Sequence, residues 1–215
     1  MTARLRVGVL ASGTGSNLGA LLEAFRAPDF PAEIAVVLSN VKGAGALARA
    51  QAANVPTRLM PHGAFKTRDA YDAALRDALR ESAVGLVCLA GFMRLVGPTL
   101  LDAFPDRVIN IHPALLPAFP GLHGPRQALA YGTKVAGCTV HFVDAGTDTG
   151  PIIAQAVVPV LPNDDETSLS ARILREEHLL YPRVVRWLSE GKVRRFGRRV
   201  EVDSAPGSAP TLVNP

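Results

Sequence analysis

The stretch Leu5-Arg-Val-Gly-Val-Leu-Ala-Ser-Gly-Thr-Gly-Ser-Asn17 decides the fold. Leu5 to Ala11 is a near-continuous apolar run, the mark of a strand buried on both faces. Ser12 to Asn17 is a glycine-rich turn. Asn17 to Arg26 then reads as a helix, with Leu18, Leu21, Leu22 and Phe25 on one face. A buried strand that passes through glycines into a helix opens a parallel α/β sheet.

Working outward, the same alternation repeats. Strands are expected at Ile34 to Ser39, Thr57 to Met60, Val84 to Leu89 and Arg107 to Ile111. Helices are expected at Ala44 to Ala53, Thr67 to Glu81 and Pro98 to Phe104. After Ile111 the rhythm changes. A proline- and glycine-rich loop runs from His112 to Pro125, and Val135 to Val143 and Ile152 to Val160 read as two antiparallel strands. Ser168 to Glu190 is a long helix that Tyr181-Pro182 is expected to interrupt and kink. Val193 to Val200 suggests a terminal hairpin. The fold class expected is therefore α/β: a Rossmann-like, mostly parallel sheet with helices on both faces and antiparallel strands in the C-terminal part. Residues 1–203 are expected to form one domain and 204–215 a disordered tail.

Composition narrows the function. The 215 residues are 48% hydrophobic and 20% charged, a balance able to bury a core. Cys88 and Cys138 are far apart and lack CxxC or Cys/His clustering, which argues against a disulfide scaffold or a structural zinc site. No apolar run is long enough to span a bilayer and no signal-peptide pattern is present, so a cytoplasmic protein is expected. The net charge of +4 hints at an anionic partner, but Lys192, Arg194, Arg195, Arg198 and Arg199 concentrate near the C-terminus. Without an accompanying aromatic series, that cluster reads as a solvated strand face rather than a nucleic-acid surface.

Two sites carry chemistry. The turn Ser12 to Asn17 sits where a helix N-terminus offers unpaired N–H groups and a positive dipole to a phosphate. Its glycines serve either that purpose or only the tight turn; the position after the first strand favours phosphate. The dinucleotide fingerprint fails, because Leu18 replaces its third glycine and the second strand ends in Ser39-Asn40 without a carboxylate. A phosphomonoester fits better than NAD or ATP. The second site is Asn110-Ile-His-Pro113. Asn110 and His112 are two apart on a strand and point to one side, where an amide and an imidazole can stabilise an oxyanion and move a proton. The residues alone equally allow a histidine merely hydrogen-bonded at a strand end. The loop Asp144 to Pro151 offers two carboxylates, and one near His112 would orient and charge the ring; equally, the loop is an ordinary turn.

Glu177 falls within the apolar stripe Leu169, Ile173, Leu180, Val184 and Leu188, where a carboxylate must be paired or face a ligand. By itself this position favours a salt bridge or a solvated stripe edge over recognition of a ligand amine. His62, His123 and His178 show no metal-ligand spacing, and His141, on a strand, reads as packed rather than catalytic.

Taken in order, Ser12-Gly-Thr-Gly-Ser-Asn17, Leu89-Ala-Gly-Phe-Met-Arg94, Asn110-Ile-His-Pro-Ala-Leu-Leu-Pro117, Pro120-Gly-Leu-His123, Arg126-Gln-Ala-Leu129, Asp148-Thr-Gly-Pro151 and Glu177-His178 with Tyr181-Pro182 resemble the phosphoribosylglycinamide formyltransferases. The resemblance runs from about Arg6 to Phe196. It implies transfer of the formyl group of 10-formyltetrahydrofolate to the amine of glycinamide ribonucleotide, in purine synthesis, with no metal. By position it implies a catalytic trio of Asn110, His112 and Asp148. It implies a ribonucleotide site at Gly15, Ser16, Asn17 and Glu177, which reverses the preference at Glu177. The implied folate site comprises Arg68, Met93, Arg94, Leu95, Val96 and Asn110 with the loop Asp144, Ala145, Gly146, Thr147 and Asp148. It implies no nucleic-acid or membrane partner and a monomer or homodimer.

The chain departs at Ala114, where many members have serine, and at Ala145, where an acid is frequent. Methionyl-tRNA formyltransferase, which carries a tRNA-binding domain after the sheet, and formyltetrahydrofolate hydrolase, with a regulatory domain before it, are the enzymatic rivals. A sheet starting at Leu5 and a short remainder after Val200 are expected to fit neither. A silent phosphate-ligand sensor is the non-enzymatic rival.

Overall fold

Strand β1 (Leu5–Leu10) is the middle of the first unit's five parallel strands, with Val7, Val9 and Leu10 fully buried in a computed structural model that describes residues 3–203. It pairs in parallel with β2 (Ala32–Ser39) on one edge and β4 (Leu86–Leu89) on the other. β3 (Thr57–Leu59) extends the sheet beyond β2, and β5 (Val108–His112) beyond β4, all in parallel. The order β3-β2-β1-β4-β5 reverses direction at β1. Right-handed crossovers therefore put α1 (Ser16–Ala24) and α2 (Gly45–Ala52) on one face, and α3 (Arg68–Glu81) and α4 (Pro98–Leu101) on the other. Ligands of such sheets bind outside the carboxyl ends of the strands at this reversal. Burial of side chains such as Leu18, Leu21, Leu75 and Leu79 from α1 and α3 contributes about 2 kcal/mol each.

The chain divides into two compact units between Asn110 and Ile111, inside β5. In the second unit, β6 (Val135–Phe142) and β7 (Ile152–Pro159) pair antiparallel, with a register shift between Val140 and His141. Helix α6 (Glu166–Ser189) packs on both. Its start is fixed by a reciprocal capping box, in which Asp165 accepts from the Ser168 N–H and Ser168 accepts from the Asp165 N–H. The predicted stripe is buried, and Tyr181 and Val185 join it. The hairpin β8 (Val193–Phe196) and β9 (Arg199–Val202) forms as expected. The architecture is the expected Rossmann-like, mostly parallel α/β class with antiparallel strands in its C-terminal part.

Three details differ from the sequence expectation. Pro182 does not interrupt α6, which runs unbroken from Glu166 to Ser189. A proline inside a helix costs about 3 kcal/mol, but buried Tyr181, Val184 and Val185 flank it and hold the helix by packing. The loop after His112 ends early, because α5 (Gly124–Tyr131) begins with Pro125 in its first turn, where a missing N–H costs nothing. Helix α4 stops at Leu101 instead of continuing to Phe104. The segment 204–215, expected as a tail, lies outside the described residues. Both cysteines are buried, and they are not joined in a disulfide. Among the described residues, no helix is long and apolar enough to cross a membrane.

Candidate active site

In the first unit, the loops after β1 and β4 meet at the carboxyl edge. Ser12 joins them: its N–H donates to the Gly91 carbonyl at 3.0 Å, its Oγ accepts from the Met93 N–H at 2.8 Å, and it donates to Asn40 Oδ1 at 2.6 Å. Gly15 caps α1 with φ 73, a left-handed conformation, and a side chain there would meet the Ala46 backbone at 2.6 Å. The turn leans on α2, since the Ala46 N–H donates to the Gly13 carbonyl at 3.1 Å and Arg49 Nε to the Thr14 carbonyl at 2.9 Å. The first turn of α1 holds no acidic residue, so its positive end is not offset from within. Gly15 and Asn17 are buried and Ser16 half-buried.

Met93 and Leu95 of the loop after β4 are exposed, 62% and 55%, while Val96 is buried. Apolar side chains left in solvent beside a sheet edge suit contact with an apolar ligand ring. The loop is anchored at its end, where the Gly97 N–H donates to Asp72 Oδ2 at 2.7 Å. Arg68 Nε lies 4.0 Å from the same oxygen. Burial pushes the Asp72 carboxyl up, against the Gly97 hydrogen bond and the Arg68 charge. Burial also pushes the neighbouring Tyr71 hydroxyl up to about 12.

The second unit contains a buried charged cluster. His112, at the end of β5, is 4% exposed and places Nδ1 3.4 Å from Asp148 Oδ2. Its Nε2 lies 3.0 Å from the Phe119 carbonyl oxygen. Both ring nitrogens thus face oxygen atoms. The Gly121 N–H donates to Asp148 Oδ2 at 2.8 Å. Asp148 has φ 54, a strained backbone for a non-glycine residue. Burial pushes its carboxyl up, but the facing His141, the Gly121 N–H and the His112 charge outweigh this and hold it below the usual range. Asn110 stands two residues before His112 on β5 and therefore on the same side. Asp144 closes its own loop by accepting from the Gly146 N–H at 3.1 Å and the Thr149 hydroxyl at 2.6 Å.

His141 is packed, as the sequence leads one to expect, but it also faces Asp148, which the sequence does not show. It is 2% exposed, and its Nε2 lies 3.7 Å from Asp148 Oδ1. The register shift at Val140/His141 sets it apart from the regular alternation of β6. Its one sequence signal is a histidine immediately before the loop that carries Asp148. Glu177 is 5% exposed, which excludes the solvated stripe edge, and its charge helps burial push the Cys138 thiol up. His123 is exposed and sits 3.5 Å from Glu166. Among the described residues, no group of three or more His, Cys, Asp or Glu side chains is arranged to hold a metal ion.

An imidazole at a strand end with a buried carboxylate against its ring is an arrangement able to move a proton in acyl or formyl transfer on an α/β sheet. The pattern of the formyl transferases matches residues 5–185, and the chain belongs to that family. The glycinamide ribonucleotide transformylase 1 structure from Symbiobacterium toebii is 52% identical with a TM-score of 0.92, over 94% of this chain and 95% of that one. The phosphoribosylglycinamide formyltransferase of Mycobacterium tuberculosis is 46% identical over 94% of this chain and 95% of its own length. The trifunctional purine biosynthetic protein adenosine-3 of Drosophila melanogaster is 50% identical over 87% of this chain, which spans only 14% of that protein.

Proposed function

We propose that this chain transfers the formyl group of 10-formyltetrahydrofolate to the amine of glycinamide ribonucleotide, giving the formylated ribonucleotide and tetrahydrofolate. The observation that carries the reading is the buried His112–Asp148 pair, 3.4 Å apart, at the end of the strand that also bears Asn110. The likeness over nearly their whole length to phosphoribosylglycinamide formyltransferases supports it. In this reading the described chain is one catalytic domain, a monomer or homodimer working in the cytoplasm on small molecules, without nucleic acid or membrane.

The substrate amine attacks the formyl carbon, and the carbonyl electron pair moves onto oxygen. Asn110 donates a hydrogen bond to that oxyanion, and His112 faces it with positive charge; one such donor is worth about 3 kcal/mol of barrier. The bond from carbon to the folate nitrogen then breaks, and that nitrogen takes up a proton while the attacking nitrogen loses one. Nε2 of His112, the ring nitrogen that faces the Phe119 carbonyl and not Asp148, is the one to deliver that proton. Asp148 keeps the ring charged and oriented. Gly15, Ser16 and Asn17 hold the phosphate through backbone N–H groups, and Glu177 receives the substrate's glycinamide end. Arg68, Met93 to Val96, and Asp144 to Asp148 hold the folate.

The test is a spectrophotometric assay of purified protein with both substrates. Tetrahydrofolate should form only when the ribonucleotide is present. Formate release without it would favour the hydrolase. No product, with both substrates bound, would favour a silent sensor.

A further inference from the structure

The loop from Pro113 to His123 has no regular secondary structure, yet it touches both members of the buried pair. The Phe119 carbonyl accepts from His112 at 3.0 Å, and the Gly121 N–H donates to Asp148 at 2.8 Å. Phe119 and Gly121 both have left-handed φ values, 56 and 81. Without a strand ladder, something else must hold such a backbone in place.

Gln127 Nε2 holds the far half, donating to the Pro120 and Leu122 carbonyls at 3.3 and 2.9 Å, and Thr139 and Gln155, directly opposite each other on β6 and β7, hold the near half. The Thr139 hydroxyl donates to the Ala114 carbonyl at 2.7 Å and accepts from the Leu116 N–H at 3.0 Å. Gln155 Nε2 donates to the Leu116 carbonyl and to Thr139 Oγ1, each at 2.9 Å. Thr139 is fully buried. Its hydroxyl uses its one donor and both acceptor positions. Valine would fill the same space without burying a hydroxyl, so the threonine is explained by these bonds and not by packing.

We propose that Thr139, oriented by Gln155, is a positioning residue: it clamps the loop at Ala114 and Leu116 so that Phe119 and Gly121 hold His112 and Asp148 in working orientation. The inference rests on the catalytic reading of His112 and Asp148.

The test compares Thr139→Val and Thr139→Ser with the parent in kcat, KM for both substrates, the pH profile of kcat and the imidazole nitrogen shifts of His112 by NMR. Thr139→Val should lose about 10²-fold in kcat, the scale of a misplaced catalytic group. Both KM values should stay within roughly twofold, and the pH profile and His112 shifts should move. Thr139→Ser should restore most of the rate. A Thr139→Val protein with the parent's kcat, pH profile and shifts overturns the proposal, even if it melts at a lower temperature. If that variant does not fold, Gln155→Met serves: about a tenfold loss of kcat supports the clamp, and an unchanged kcat refutes it. His112→Ala separates the two claims. Full turnover in His112→Ala defeats the catalytic reading itself, whereas an inactive His112→Ala beside a fully active Thr139→Val defeats only the clamp.

Discussion

The two units prepare for ligands in opposite ways. The first presents backbone N–H groups at Gly15 to Asn17 and exposed side chains at Met93 and Leu95, and its buried polar groups serve as anchors for those loops. The second buries its polar groups: His112, His141, Thr139 and Glu177 are all at most 5% exposed. Uncharged backbone donors bind an anion without changing protonation state. Buried imidazoles against a carboxylate are sensitive to every neighbouring dipole, because a low dielectric magnifies each one. In the proposed reading the backbone donors at Gly15 to Asn17 serve affinity and the buried His112–Asp148 pair serves chemistry, with Glu177 a buried group that serves binding, and substitutions at the two places should fail in different kinetic terms.

Asp148→Asn should break the second site most severely short of removing the imidazole. It leaves the shape but removes the charge facing two histidines, and kcat should fall by about 10³-fold with both KM values little changed. A rise in KM alone would contradict the assignment. Asn110→Ala should cost about 10²-fold in kcat, the loss of one oxyanion donor. Gly15→Ala should act on the first site. Its φ of 73 and the Ala46 backbone at 2.6 Å force the turn to shift, and ribonucleotide KM should rise about tenfold, ~1.4 kcal/mol, with folate KM unmoved. Equal losses for both substrates would blur the contrast between the sites. Glu177→Gln should weaken ribonucleotide binding by less, and unchanged affinity in calorimetry would return Glu177 to a structural role.

The smallest effect is on stability. The folded Asp148 carboxyl is held below its unfolded value. Its contribution is therefore present above about pH 4 and is lost as pH falls through the lowered folded value. In denaturant titrations, the stability gap between the parent and Asp148→Asn should narrow as pH drops from 7 towards 3. A constant gap would mean that the charge contributes nothing.

The elements that the sequence makes legible are those fixed by local periodicity. β1, its glycine turn and α1 follow from one apolar run and one helical stripe. Asn110 and His112 are readable as a strand-end pair because period-two geometry needs no tertiary information. The loop Asp144 to Pro151 is legible as a source of a carboxylate for His112, but only the family resemblance singles out Asp148, since an Asp in a polar turn is ordinary. His141 was beyond reach: its approach to Asp148 depends on the irregular register of β6 and on how the following loop returns. Pro182 misled because propensity opposes a proline there, while packing on both sides decides the outcome. Glu177 was visible as an anomaly in an apolar stripe, but its burial required the packing of α6 on β6 and β7.

The central claim is that the buried pair does the chemistry while the ribonucleotide is held by other groups. Turnover and ribonucleotide affinity of His112→Ala, measured on one preparation, test it most directly. Formyl transfer should be abolished, and the calorimetric affinity for the ribonucleotide should stay within roughly twofold of the parent. Full turnover in that variant would contradict it.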